Sequence, residues 1–193
     1  MGKHNLSIQD EYGSVKHNVS KISIHPDWTT EGQRFDADIS LVLLKNKVTF
    51  NLFVEPICLP KPWNGETFGI VPGWGQSEHS DALGEFVDST LNELEMPIIN
   101  TKHCFVDTPQ LAFVGSKRTF CAGYFNQSKS VCFGDGGGGF YTVDKNSGLF
   151  SINGIVSSSL MTSTGCNKEV YSIFTDVIEF VDWIKTEMQE EQR

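Results

Sequence analysis

An all-β chain closed by one terminal helix is the fold class that the sequence predicts, and three observations predict it. Short runs rich in Val, Ile, Phe and Thr recur along the chain, and Gly, Pro, Asn and Ser clusters separate them. Apolar residues take up helical spacing only near the C-terminus. Many short strands with turn punctuation make a barrel or a sandwich rather than a bundle.

Taken in order, Val15, His17 and Val19 alternate with polar neighbours and lead into Ile22 and Ile24, a half-buried strand ending at His25-Pro26. Residues 39–44 form a shorter, more apolar strand, and further strands are predicted at 67–71, 91–98, 119–123, 138–143, 149–157 and 170–177. Val177, Phe180, Val181 and Ile184 then recur at helical spacing before the polar run from Lys185 to Arg193, which predicts an amphipathic helix packed on a barrel. No internal repeat, low-complexity linker or composition break marks a second domain.

Composition sets the bounds. A chain of 193 residues with 39% hydrophobic residues buries one core of ordinary size. Its formal charge of -9 comes with no basic run, which argues against a nucleic-acid backbone or an anionic membrane surface as partner. Residues 1–20 hold no apolar stretch of signal-peptide length, and no later run approaches the roughly 18 apolar residues that span a bilayer. The five cysteines have no Cys-x-x-Cys pair and there is no His-Glu-x-x-His, so disulfides or buried thiols are expected rather than a metal site, with one cysteine left over. Asn5-Leu6-Ser7, Asn18-Val19-Ser20 and Asn126-Gln127-Ser128 are N-glycosylation sequons. No cofactor is expected.

The most informative stretch is Cys132-Phe133-Gly134-Asp135-Gly136-Gly137-Gly138-Gly139. It matches Gly-x-Gly-x-x-Gly, but that phosphate motif needs a helix next, and Phe140-Tyr141-Thr142-Val143 reads as a strand with no acidic residue about 20 positions on. Gly134 and Gly139 have P-loop spacing, yet Phe140-Tyr141 stands where Lys-Ser/Thr must be.

The stretch resembles instead the Gly-Asp-Ser-Gly-Gly loop of chymotrypsin-like (trypsin-like) serine proteases, with Gly136 in the place of the serine. The resemblance runs in order along the chain. Asp36-Ala37-Asp38-Ile39-Ser40-Leu41 is similar to the segment of the family's catalytic aspartate, followed by Pro56-Ile57-Cys58-Leu59-Pro60 and Gly73-Trp74-Gly75. Gly154-Ile155-Val156-Ser157 and Val170-Tyr171 look like the strands lining the substrate cleft, and Asp182-Trp183-Ile184 like the final helix.

That resemblance implies a chymotrypsin-like double β-barrel, here with an incomplete N-terminal barrel, a complete C-terminal barrel and a C-terminal α-helix. Residues 1–188 would form the N-terminally truncated trypsin-like domain and 189–193 a polar tail. Missing strands would leave residues 1–60 the least stable part, with exposed edges. The resemblance pairs Cys104 with Cys121 and Cys132 with Cys166. It matches Cys58 to a cysteine that, in multi-domain members, bonds to an upstream regulatory segment; a buried free thiol is the other reading.

For the site, the resemblance places the catalytic aspartate on Asp38, the oxyanion hole on Gly134 and Gly136, and the activation-pair aspartate on Asp135. It places substrate contacts on Ser130, Ser157, Ser158 and Ser159. A carboxylate capping main-chain N–H groups at a strand start is the other reading of Asp38, and its position within the motif favours the catalytic one. A nucleophile is lacking, since glycine has no side chain to attack with and four consecutive glycines offer no serine next door. The family histidine segment, Ala-Ala-His-Cys, is absent, and His4, His17, His25, His79 and His103 read as surface or strand histidines. Without a new amino terminus as its cation, Asp135 is expected to leave the loop around Gly134 zymogen-like or disordered. Ser130 in place of a pocket aspartate removes the basis for a preference for basic side chains, and Ser158-Ser159 replace the usual Trp-Gly of the cleft wall. The partners expected are proteins or extended peptides, outside the cell. An incomplete form of an active endopeptidase and a nonfunctional truncated product are the competing readings.

Overall fold

The protein is described from a computed structural model covering residues 1–29, 35–62, 65, 67–76, 87–127, 129–162 and 165–191. His79 and Ser128 of the third sequon lie outside these residues.

Two strands come first, β1 (Val19–Ile24) and β2 (Ser40–Leu44), paired antiparallel as a sheet of their own. The expected first strand starts later than Val15, because the Val15 N–H bonds back to the carbonyl of Met1 rather than to a neighbouring strand. Next come β3 (Phe68–Gly75) and β4 (Val87–Ile99), then two short helices, α1 (Thr101–Asp107) and α2 (Leu111–Val114). The chain continues through β5 (Thr119–Ala122), β6 (Gly139–Val143), β7 (Phe150–Ser159), the small hairpin β8 (Met161–Thr162) and β9 (Gly165–Cys166), and β10 (Ser172–Asp176). One 3-10 turn, Val177–Phe180, opens the terminal helix α3 (Val181–Glu190).

Six strands close a barrel in the order β10-β5-β4-β3-β6-β7, every neighbouring pair antiparallel. This is the complete second barrel. Among the described residues the β1–β2 sheet is the part that belongs to the first, and its apolar residues stand in water: Val19, Ile22, Ile24 and Val42 are each more than half exposed. The fully buried Phe140 and Phe174 fill the closed barrel with Val71, Met96, Phe120 and Val156. A second cluster joins the two parts, with Val177, Phe180 and Ile184 of the C-terminal segment on Ala37 and Ile39. Cys104–Cys121 ties α1 to β5 beneath a third cluster around Leu111, Tyr171 and Ile173, and Cys132–Cys166 ties the glycine-rich loop to β9. Both pairings are those the resemblance implied.

The two short helices were not predicted. Asn100 caps α1 by accepting the Lys102 N–H at 3.0 Å, but seven and four residues are too few to show a helical period against flanking strands.

His25, just past β1 with its N–H donated to Ile39 O at 3.1 Å, is buried against the second cluster rather than lying on the surface. Only 9% exposed, it lies edge-on to Phe180 and Trp183 at 5.1 and 4.8 Å, and its Nδ1 accepts the Asp27 N–H at 3.1 Å. Burial lowers its pKa below the ordinary 6.5. Asp27 and Asp36 pull the other way, and Arg118 adds to the lowering. Because the folded state holds the ring neutral, stability is intact above about pH 6.5 and is lost as the pH falls from there towards the lowered folded-state value. Urea unfolding at about pH 7.5 and about pH 5 is expected to show this loss in the native chain and a smaller one in His25→Phe. An equal loss in both would remove His25 from the cause.

Candidate functional site

Just ahead of β2, the run Asp36-Ala37-Asp38 leads into the small sheet while its side chains face the barrel's residues, and each of its residues is held differently. Asp36 receives Nη2 and Nε of Arg118 at 2.7 and 3.0 Å and the Ser116 hydroxyl at 2.8 Å. Arg118 also reaches Asp27 at 2.7 Å and stacks over the Phe180 ring at 5.0 Å. The Arg118 hydrogen bonds hold the Asp36 carboxyl below the usual carboxylate range against the effect of burial. Ala37, fully buried, takes a left-handed φ of 54°, a strain of about 1–2 kcal/mol for a residue with a Cβ. Asp38 is then fixed at two points: Oδ2 accepts from the Ser157 hydroxyl at 2.7 Å and its main-chain oxygen from the Thr175 hydroxyl at 2.9 Å. Its carboxylate caps no main-chain N–H in the hydrogen bonds of the described residues; a hydroxyl 119 positions away holds it.

Facing Asp38 is the glycine-rich loop. Cys132 to Asp135 and Asp135 to Gly138 form two successive turns, closed by main-chain bonds of 3.1 and 2.8 Å, with Gly134 at φ 94°. The loop is stitched to β7 by Gly137 N–H to Val156 O and Val156 N–H to Gly138 O, at 2.9 and 2.8 Å. Asp135 lies beneath, Oδ1 accepting the Gly75 N–H and Oδ2 the Cys132 N–H, both at 2.9 Å. Asp135 pairs with no cation among the described residues, and two main-chain donors satisfy its carboxylate.

Of the four consecutive glycines, only Gly136 has no structural need to be glycine. Gly137 has a φ of 80°, and a Cβ at Gly138 or Gly139 would stand 2.8 or 2.4 Å from Asp135 O or the Tyr141 ring. A Cβ at Gly136 meets nothing within 4 Å, and its φ is not in the left-handed range. The main-chain N–H groups of Gly134 and Gly136 have no protein acceptor among the described residues.

Between Asp38 and Gly136 lies a cleft of about 400 Å³, lined also by Ile24, Trp28, Ser40, Gly137 and Ser157. Of the four serines assigned to substrate contact, the structure brings only Ser157 to this cleft. Ser130 and Ser159 both bond to the hydroxyl of fully buried Ser172, at 2.9 and 2.8 Å, forming a chain of three hydroxyls, while Ser158 pairs with Ile173 on β10. Ser130 lines a smaller cavity behind the turn, about 200 Å³, beside Asp135 and Gly75.

Sequence reasoning missed Ser172, Thr175, Arg118 and Ser116. The signal for the first two was Ser and Thr inside a strand that is otherwise apolar; buried polar side chains of that kind need partners. Arg118 and Ser116 carry no local signal.

No described histidine bonds to Asp38. His4 offers its main chain to Trp74 and Glu11, His25 is turned towards Phe180 and Trp183, and His103 is exposed on α1. Cys58 is free and exposed, which sets aside the buried-thiol reading. Among the described residues no three His, Cys, Asp or Glu side chains are placed to hold a metal ion, and no helix is long and apolar enough to cross a membrane.

Comparison with known proteins gives the same grouping along nearly the whole chain. The family profile described as Trypsin matches residues 1–184. Serine protease gd of Drosophila melanogaster is 30% identical over 219 aligned positions, covering 95% of this chain and 40% of the fly protein. The complement C1r-A and C1r-B subcomponents of Mus musculus are each 34% identical over 184 positions, covering 91% of this chain and 24% of theirs. The chain thus spans well under half the length of these relatives.

Proposed function

The chain belongs to the trypsin family of serine proteases, and we propose that it acts in an extracellular proteolytic cascade by binding proteins, not by cleaving them. The observation that carries this reading is Gly136. The family reaction starts with a serine oxygen that attacks the scissile carbonyl, and at this position there is no side chain to attack with. Neither steric crowding nor backbone conformation demands the glycine, so its effect is the loss of the nucleophile rather than a structural gain. Nor does any described histidine reach Asp38 to take a proton.

The remaining cleft supports binding. Ser158 and Ser159 pair with β10 on one side, with Ser157 at the register shift beside them, whereas the β6 pairing of β7 stops at Ile155, so this stretch offers a main-chain edge to an extended peptide. Two disulfides support an extracellular setting, where the N-glycosylation sequons also belong. Exposed Cys58 supports a covalent link to an upstream regulatory chain.

A second reading, an incomplete form of an active endopeptidase, is favoured by one observation: the place at Gly136 is open enough for a serine side chain. Sequencing the full-length transcript separates the two: upstream coding sequence with an Ala-Ala-His-Cys segment would favour the second reading, and a read showing none would remove it. A fluorophosphonate probe tests the first. The purified chain is expected to take no covalent label, and labelling would overturn the proposal. Gly136→Ser is expected to fold with unchanged stability and to give no measurable peptide turnover in this chain, since a hydroxyl without a base is a weak nucleophile. Turnover by that variant would show that this chain supplies a base other than the family histidine.

A further inference from the structure

Two of the three sequons are described completely, and the fold treats them in opposite ways. Asn5 is half-buried and seated against β4. Its Nδ2 donates to Thr90 Oγ1 at 3.4 Å, its Oδ1 accepts the Ser7 N–H at 2.9 Å, and its main-chain N–H is held by the Glu11 carboxylate at 3.0 and 3.1 Å. The neighbouring residues are bound to the same strand, Leu6 N–H to Ser89 O and Leu91 N–H to His4 O. A sugar on Nδ2 would replace one of its two hydrogens beside Thr90, at an amide whose nitrogen and oxygen are both already engaged.

Asn18 is exposed and stands just before β1. Only its main-chain oxygen is engaged, accepting the Lys45 N–H at 2.8 Å, and no hydrogen bond holds its side-chain amide among the described residues. Ser20, the hydroxyl residue of the sequon, is exposed as well, and its Oγ donates to Leu43 O at 3.2 Å across the β1–β2 pair. The folded chain therefore keeps this amide in solvent, with room for a large substituent.

We infer that Asn18, and not Asn5, carries an N-linked glycan. In the transfer, Nδ2 of Asn18 forms a bond to C1 of the first N-acetylglucosamine of a lipid-pyrophosphate-linked oligosaccharide. The C1–O bond to the pyrophosphate breaks, the lipid pyrophosphate leaves with the electron pair, and the amide nitrogen gives up one proton. The inference rests on the extracellular reading, because the enzyme and the lipid donor belong to the secretory route.

The test is built to keep the two apart. The full chain, carrying Asn126→Gln so that only two sequons remain, is secreted from cultured animal cells behind a foreign leader, whatever route the native chain takes. The expected result is one mobility step removed by peptide-N-glycosidase, with mass spectrometry finding Asn18 converted to Asp. The step is expected to vanish in Asn18→Gln and to persist in Asn5→Gln. A step that survives Asn18→Gln, a step lost in Asn5→Gln, or secreted chain with no step at all would overturn the inference. The extracellular reading itself fails separately, if antibody finds the native chain only inside cells.

Discussion

Truncating Phe140 to alanine is expected to lower the unfolding free energy by about 3–5 kcal/mol, among the largest effects open to a single substitution in this chain. The ring is fully buried and meets Phe120 and Phe174 edge-on at 5.2 and 5.1 Å, while those two stack on each other at 5.4 Å. Two glycines make the space. A Cβ at Gly69 would lie 2.0 Å from the Phe140 ring, and one at Gly154 would lie 2.7 Å from Phe120 and 3.1 Å from Phe140. The strands that flank β6 on either side, β3 and β7, are thus shaped to this one side chain, and they cannot close over the cavity without moving main chain. Thermal unfolding should fall by roughly 10 °C for a chain of this size. Leu52→Ala, at a side chain 93% exposed, is the control and should stay within about 0.5 kcal/mol of the native chain. A loss under about 1.5 kcal/mol for Phe140→Ala would mean that the barrel interior relaxes far more readily than its packing implies.

Asp135→Ala should cost about 2–4 kcal/mol, and its effect should be concentrated at the cleft. The carboxylate is the acceptor for two main-chain donors, Gly75 of β3 and Cys132 at the start of the glycine-rich turn. Removing it leaves both N–H groups short of a partner in a place shaped around the carboxylate, where a Cβ at Gly75 would lie 2.2 Å from Oδ2. Hydrogen exchange at the Gly75 and Cys132 amides should speed up, and residues 133–138 should become the preferred point of limited proteolysis. Asp135→Asn should repair little of this, since an amide presents one acceptor oxygen and turns its NH₂ towards the other donor. Unchanged exchange at those two amides in Asp135→Ala would show that the turn is held by its own main-chain bonds and the Cys132–Cys166 disulfide instead.

The elements that could be read from the chain are those whose cause is local. Alternation and turn residues located the barrel strands, although β3 and β7 run further than expected because their extra residues pair with β4 and β10. The change of apolar period at Val177 located the terminal helix. The helices α1 and α2 escaped because their stability comes from Cys104 and Leu111 docking on β5 and β10, not from a pattern of their own. The burial of His25 could not be read locally, because nothing in Ile24-His25-Pro26 says that Phe180 and Trp183, more than 150 positions later, will cover it.

The sequence by itself determined the all-β class, the cysteines available for two bridges and the missing hydroxyl at Gly136, because each depends only on which residue stands at a position. Tertiary structure decided what holds the cleft: Ser157 and Thr175 on Asp38, Arg118 on Asp36, two main-chain donors on Asp135, and Ser172 drawing Ser130 and Ser159 away. These are hydrogen bonds between groups up to 137 positions apart. Their energy is realised only when barrel closure has brought the strands within about 3 Å of one another's polar atoms, a distance that no local run of residues encodes.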